Sequence, residues 1–194
     1  MNYFKKIVIV FCIILWPLNL LLNFKGNTSF ETIFTNDYQG EQLILRNIHL
    51  YPTIALARVF QNKPRIYIYK FFNNLFILTD PNNYFFGLHP EPIPGQNNIF
   101  KYQFVAIVFF AYGIFSISKY KYKNIILFTF IPFVLFLSIL KNFYGLDLIL
   151  WIPISLTIGN GVTQMMIDNK KLFTVTSILL IVFAVPELIR SFIR

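Results

Sequence analysis

The run from Ile7 to Phe24, IVIVFCIILWPLNLLLNF, carries no charged side chain, and Lys5 and Lys6 stand directly before it. Similar runs recur late in the chain at Gln103 to Ser118 (QFVAIVFFAYGIFSIS), Ile125 to Leu140 (IILFTFIPFVLFLSIL) and Leu172 to Ile189 (LFTVTSILLIVFAVPELI). A further one, Phe143 to Gly159, is interrupted by Asp147 and Pro153. A helix needs about 20 apolar residues to cross a hydrocarbon core roughly 30 Å thick. The pattern therefore predicts an all-α integral membrane protein with about five transmembrane helices. The sequence Gly159-Asn160-Gly161 reads as a helix stop, since glycine favours helix ends.

Between the first and second runs the pattern changes. In IYIYKFFNNLFILTD, residues Ile68, Phe71, Phe72, Leu75 and Phe76 recur at helical spacing, with Lys70, Asn73 and Asn74 between them. YPTIALARVFQNKP predicts a shorter helix, opened near Pro52 and closed before Pro64. Both are expected to lie on the outer membrane surface with their apolar faces in the lipid boundary; a small packed domain is the other reading. Asp80-Pro81 ends the longer helix, and Asn82 and Asn83 favour a turn. Tyr84, Phe85 and Phe86 are expected at headgroup level. Pro90, Pro92 and Pro94 then hold the chain extended up to Gly95.

Composition agrees with this picture. The chain has 194 residues, 56% of them hydrophobic and only 13% charged, against roughly 25% charged in soluble domains. The net charge of +9 does not gather in one stripe or arm, so nucleic acid is not the expected partner. Basic residues sit between apolar runs, where they orient spans in a bilayer. Lys5 and Lys6 put the N-terminus in the cytoplasm, followed by a retained anchor and not a cleaved leader. Lys119, Lys121 and Lys123 place the second connection there too, and Lys170 and Lys171 the last one. Alternating crossings leave residues 25–102 outside as one insert. The expected organisation is an anchor at 1–24, an extracytoplasmic insert at 25–102 and a four-span bundle at 103–194. Cys12 stands alone, so no disulfide framework forms within one chain.

Chemistry is thinly signposted. His49 and His89 are too isolated for a metal pair, and no acidic or cysteine cluster has ligand spacing. Neither a metal nor another cofactor is expected. No Gly-rich phosphate loop or serine nucleophile motif is present. Asp147 is placed to cap the fourth helix, and Glu187 to pair with Arg190 one turn on.

The aromatic run before DPNNYFF, the Pro-containing turn, Gly95-Gln96 and a span ending in AYGIFSISKYK resemble the late extracytoplasmic loop and following span of GT-C glycosyltransferases. The likeness is to the protein mannosyltransferase-like branch. IPFVLF at Ile131 to Phe136 and IPISLTIGNG also suit the C-terminal bundle of that superfamily, so the likeness covers Phe71 to Ile189. The chain also resembles small polytopic membrane proteins of reduced, AT-rich bacterial genomes. The resemblance implies use of a polyprenol-phosphate sugar, with a catalytic carboxylate in the first extracytoplasmic loop. Asp37, in FETIFTNDYQGEQ, is the positional match for a general base. Arg46, Arg58, Lys63 and Arg65 are the candidates for a polyprenol phosphate or lipid headgroup. The superfamily's adjacent acidic pair and full span count are missing. The expected function is therefore a non-catalytic or accessory membrane component, associated with envelope glycan or lipid-linked sugar metabolism. Its partners would be the bilayer, a polyprenol-phosphate lipid or another membrane protein. Two alternatives stand beside it: a minimal or split GT-C-type transferase, and a small transporter.

Overall fold

The structure is a computed structural model that describes residues 3–11, 30–35, 38–50, 62–86, 102–143 and 146–193, together with 52, 53 and 55. Its architecture is all-α. Helix α1 covers residues 3–11. It is followed by α2 (Tyr38–Ile48), α3 (Lys63–Thr79), α4 (Asn82–Phe85), α5 (Ala106–Phe115), α6 (Lys123–Ser138), α7 (Trp151–Asp168) and α8 (Lys170–Ile193). Two 3-10 turns, Ile117–Lys119 and Leu146–Leu150, punctuate the later half. Among the described residues extended pairing is limited to one isolated antiparallel bridge, Thr32 to Leu140.

One segment among the described residues, Leu146–Asp168, is both long and apolar enough to cross a membrane. This was the run the sequence marked as interrupted, and both interruptions have local explanations. Pro153 falls in the first turn of α7, where its missing N–H removes no intrahelical bond. Asp147 lies in the 3-10 turn that precedes α7, and Leu150 occupies the cap position of α7 without a side-chain bond. The carboxylate is therefore buried one turn upstream of the helix it was expected to cap.

The glycines of this segment overturn another expectation. Gly159 and Gly161 lie inside α7 and do not end it. A methyl group on Gly161 would stand 1.8 Å from the Phe109 carbonyl oxygen, and one on Gly113 would stand 2.0 Å from the Thr157 carbonyl oxygen. Gly113 and Gly161 let the backbones of α5 and α7 touch.

Helix α5, with only 10 residues, is shorter than the apolar run Gln103 to Ser118 that contains it. The Ser116 hydroxyl donates back to the Tyr112 and Gly113 carbonyls at 2.7 and 3.4 Å. It thereby competes with the ladder, and the chain tightens into the turn Ile117–Lys119. Helix α6 has 16 residues and tolerates Pro132 inside it.

Contacts fix how these helices run. Tyr102 reaches Ser155, Phe109 and Gly113 meet Gly161 and Thr157, and Tyr112 reaches Asp168. Sequence number rises together along both partners, so α5 and α7 are parallel, and α6, which follows α5 and precedes α7 in the chain, makes the return. Phe104 stacks on Phe183 and Phe109 on Phe173, which makes α8 antiparallel to α5. Val8 of α1 is fully buried in the same core as Phe173 and Leu180.

The insert is fastened to this bundle. Asn62 caps α3 by accepting from the Arg65 N–H at 3.0 Å, with Pro64 in the first turn. As the sequence predicted, α3 stops at Asp80-Pro81. Its protein-facing side carries Asn74 and Leu78, while Ile68, Phe72 and Phe76 stay exposed. Of the three rings expected at headgroup level, Phe86 is exposed, but Tyr84 and Phe85 are packed inside the protein, being 3% and 0% exposed. Asp80 accepts from the Asn82 N–H at 2.9 Å and starts the short helix α4, which turns both rings inward. Phe85 then packs 5.5 Å from Tyr102 and 5.3 Å from Phe110. Most of the helix predicted at 51–64 and the Pro-rich stretch up to Gly95 lie outside the described residues.

Candidate functional site

The cations expected to hold phosphate are held apart by the geometry of their helices. Lys63 donates to Glu41 Oε1 at 2.8 Å, tying the start of α3 to the first turn of α2. That hydrogen bond and the Glu41 charge raise the Lys63 ammonium above its ordinary value. Arg65 is two residues further on, about 200° around the helix from Lys63. Arg46 sits exposed in the last turn of α2, where it complements the helix dipole. It is five residues beyond Glu41, which turns it about 140° away. Asp37 and Arg58 lie outside the described residues, as does His89. His49 is exposed, and no group of three metal-binding side chains occurs among the described residues. The side chains of Glu187 and Arg190 also lie outside the described set.

Polar chemistry instead gathers along the seam between α5 and α7, which the sequence reading missed. At one end the Tyr102 phenol lies 2.9 Å from Ser155 Oγ and 3.3 Å from the Trp151 carbonyl. In the middle Asn160, 1% exposed, donates from Nδ2 to the Gly113 carbonyl and to Ser116 Oγ, each at 3.1 Å. Its Oδ1 is buried with no hydrogen-bond partner. At the other end Tyr112 donates to Asp168 Oδ2 at 3.0 Å, and Lys119 Nζ approaches the same oxygen at 4.0 Å. The seam's signal was present in the sequence as small residues four apart, Thr157 and Gly161, facing Gly113 and Ser116. It was obscured because glycine on a helix also marks its end.

A second polar cluster locks the insert to the end of α6. Asn74 Nδ2 donates to the Ser138 and Leu140 carbonyls at 3.2 and 2.8 Å. Beside it, the Ile33 N–H donates to the Ile139 carbonyl and the Lys141 N–H to the Glu31 carbonyl. Lys141 Nζ closes the contact on Glu31 Oε2 at 3.1 Å. The Tyr84 phenol donates to the Leu78 carbonyl at 2.7 Å, and the Tyr102 N–H donates to the Tyr84 carbonyl at 2.8 Å. Each of these bonds joins segments of the fold; the chemistry displayed is that of fastening.

Compared with known proteins, the chain matches no family model, no curated protein and no solved structure. The glycosyltransferase likeness therefore rests on the quoted residues alone.

Proposed function

We propose that this chain is a multi-pass membrane protein acting as a non-catalytic, accessory component, associated with enzymes that handle lipid-linked sugars. One observation carries the membrane part. Where α5 and α7 approach most closely, the seam is lined by Gly113, Ser116, Thr157, Asn160 and Gly161, while many large apolar side chains face outward, with Phe115 87% and Phe128 77% exposed. In water that distribution would be costly, since apolar exposure costs about 25 cal/mol per Å². In lipid it is the usual one, because small residues let helices approach and lipid solvates the rest.

The packing supports one direction of crossing. Parallel α5 and α7 with antiparallel α8 are the arrangement that alternating crossings require. Lys119 meets Asp168, and Phe4 stacks 6.1 Å from Phe173, so the lysine-bearing turns and the N-terminus share one end. By the positive-inside rule that end is cytoplasmic. The insert, pinned to residues 138–141, then lies outside, on the side where the resemblance places polyprenol-phosphate sugars.

The accessory role is supported by how the insert's polar groups are used, with Lys63 engaged by Glu41 and Asn74 by backbone carbonyls. Two measurements test it. Alkaline carbonate washing should leave the protein in the membrane pellet; recovery as a soluble monomer would remove the basis of the proposal. Incubation of the purified protein with a polyprenol-phosphate sugar should give no transfer. Turnover that disappears in Asp37→Asn would instead establish the transferase reading.

A further inference from the structure

The end of the bundle where α1 begins, α5 ends and α8 starts collects ammonium groups. Lys119, Lys121 and Lys123 lie on one connection, and Lys170 and Lys171 on the other. The 4.0 Å approach of Lys119 to Asp168 joins the two connections, and the Phe4–Phe173 ring pair brings in Lys5 and Lys6. Asp168 is the one carboxylate described at this end, and it is already shared between Tyr112 and Lys119. Among the described residues, the exposed Lys123, Lys170 and Lys171 have no carboxylate partner.

Gathering like charges is unfavourable unless something outside the chain neutralises them. The surroundings indicate at what depth that partner lies. Lys121 Nζ sits 5.6 Å from the Tyr122 ring centre and Lys6 Nζ 5.9 Å from that of Tyr3. Tyr120 packs 5.7 Å from Tyr122. Ammonium groups laid over tyrosine rings, at the end of the bundle where α5 finishes with the exposed Phe115, mark a boundary between apolar and charged surroundings.

We propose that this lysine–tyrosine collar binds the phosphates of anionic glycerophospholipids in the leaflet it faces. The inference rests on the membrane reading above but goes beyond it, because lysines that only set topology need no headgroup preference. It also moves headgroup recognition to the opposite end from Arg46, Lys63 and Arg65.

The test uses the full chain in nanodiscs of equimolar phosphatidylglycerol and phosphatidylcholine, with retained lipid counted by native mass spectrometry. Phosphatidylglycerol should be enriched about fivefold or more, as expected for a lysine near an anionic surface. K121Q/K123Q/K170Q/K171Q should bring the ratio towards that of the bulk lipid, and the matching set of four arginine substitutions should keep it. K63Q/R65Q should leave it unchanged. A bulk ratio in the unaltered protein would overturn the proposal, as would equal loss in K63Q/R65Q or loss in the arginine set. Flotation with pure phosphatidylcholine vesicles separates the two failures. A chain that does not float has lost the membrane reading itself, whereas one that floats but shows no enrichment has lost only the collar.

Discussion

At the scale of single residues, the three neighbours Gly159, Asn160 and Gly161 make the sharpest distinction. Gly161 faces the α5 backbone so closely that an added methyl would meet the Phe109 carbonyl at 1.8 Å, whereas at Gly159 it would meet nothing within 4 Å. Gly161→Ala must therefore push the helices apart and break the Asn160 bonds to Gly113 and Ser116. A loss of about 3 kcal/mol is expected, at the upper end for overpacking because the obstacle is backbone. Gly113→Ala should behave alike. Gly159→Ala should leave stability unchanged or raise it by up to ~1 kcal/mol through helix propensity. Thermal unfolding of the three variants in one detergent, followed by circular dichroism, checks the contrast. Equal effects at Gly159 and Gly161 would mean that the seam is not the origin of the glycines. The sequence reading took these residues for a stop because glycine favours helix ends. In an apolar seam, the absent side chain matters for what it lets approach.

At the scale of elements, the sequence was most legible where local chemistry decides and least where a partner does. Asp80-Pro81 ended α3 as predicted, because a proline after an extended residue stops a helix whatever surrounds it. Tyr84 and Phe85 were misplaced because their direction depends on the Asp80–Asn82 bond and on the packing of Phe85 against Tyr102 and Phe110. Likewise Asn74 read as part of a polar face, but its amide serves two carbonyls at the end of α6. Asn74→Ala should cost about 1–3 kcal/mol, since those acceptors lose their side-chain partner in a buried place. Limited proteolysis between α2 and α3 should accelerate in that variant if the insert is held down by this bond. The buried Tyr84 gives a pH test of the same junction. Burial first, and the neighbouring Tyr102 second, raise its phenol above the ordinary value of 10.0. The folded protein then holds this proton more tightly than the unfolded chain does. The associated stability is complete below about pH 10 and declines as pH climbs past the free-phenol value. Tyr84→Phe should lose about 1 kcal/mol at neutral pH with the Leu78 bond, and its stability should fall less steeply above about pH 10.

At the scale of the whole molecule, the apolar runs foretold helices but not how the helices would pack against one another. Among the described residues only Leu146–Asp168 is both long and apolar enough to cross, while α5 and α6 have 10 and 16 residues, or about 15 and 24 Å. A crossing by α5 thus needs its flanks. The stretch from Tyr102, bonded at one end of α7, to Lys119, beside Asp168 at the other, is what matches α7 in reach. This pairing makes the direction of α6 the deciding quantity, because parallel α5 and α7 require α6 to cross between them. Cysteine labelling reads it directly once the native thiol is removed by Cys12→Ser. Lys121→Cys, before α6, should react with a membrane-impermeant maleimide only after the cytoplasmic face is opened. Asn142→Cys, after α6 and next to the Glu31–Lys141 contact, should react in intact cells. If both thiols reacted from the same side, α6 would return without crossing. Parallel α5 and α7 would then lie on a membrane surface and not through it, and the lysine collar and the insert would share one compartment.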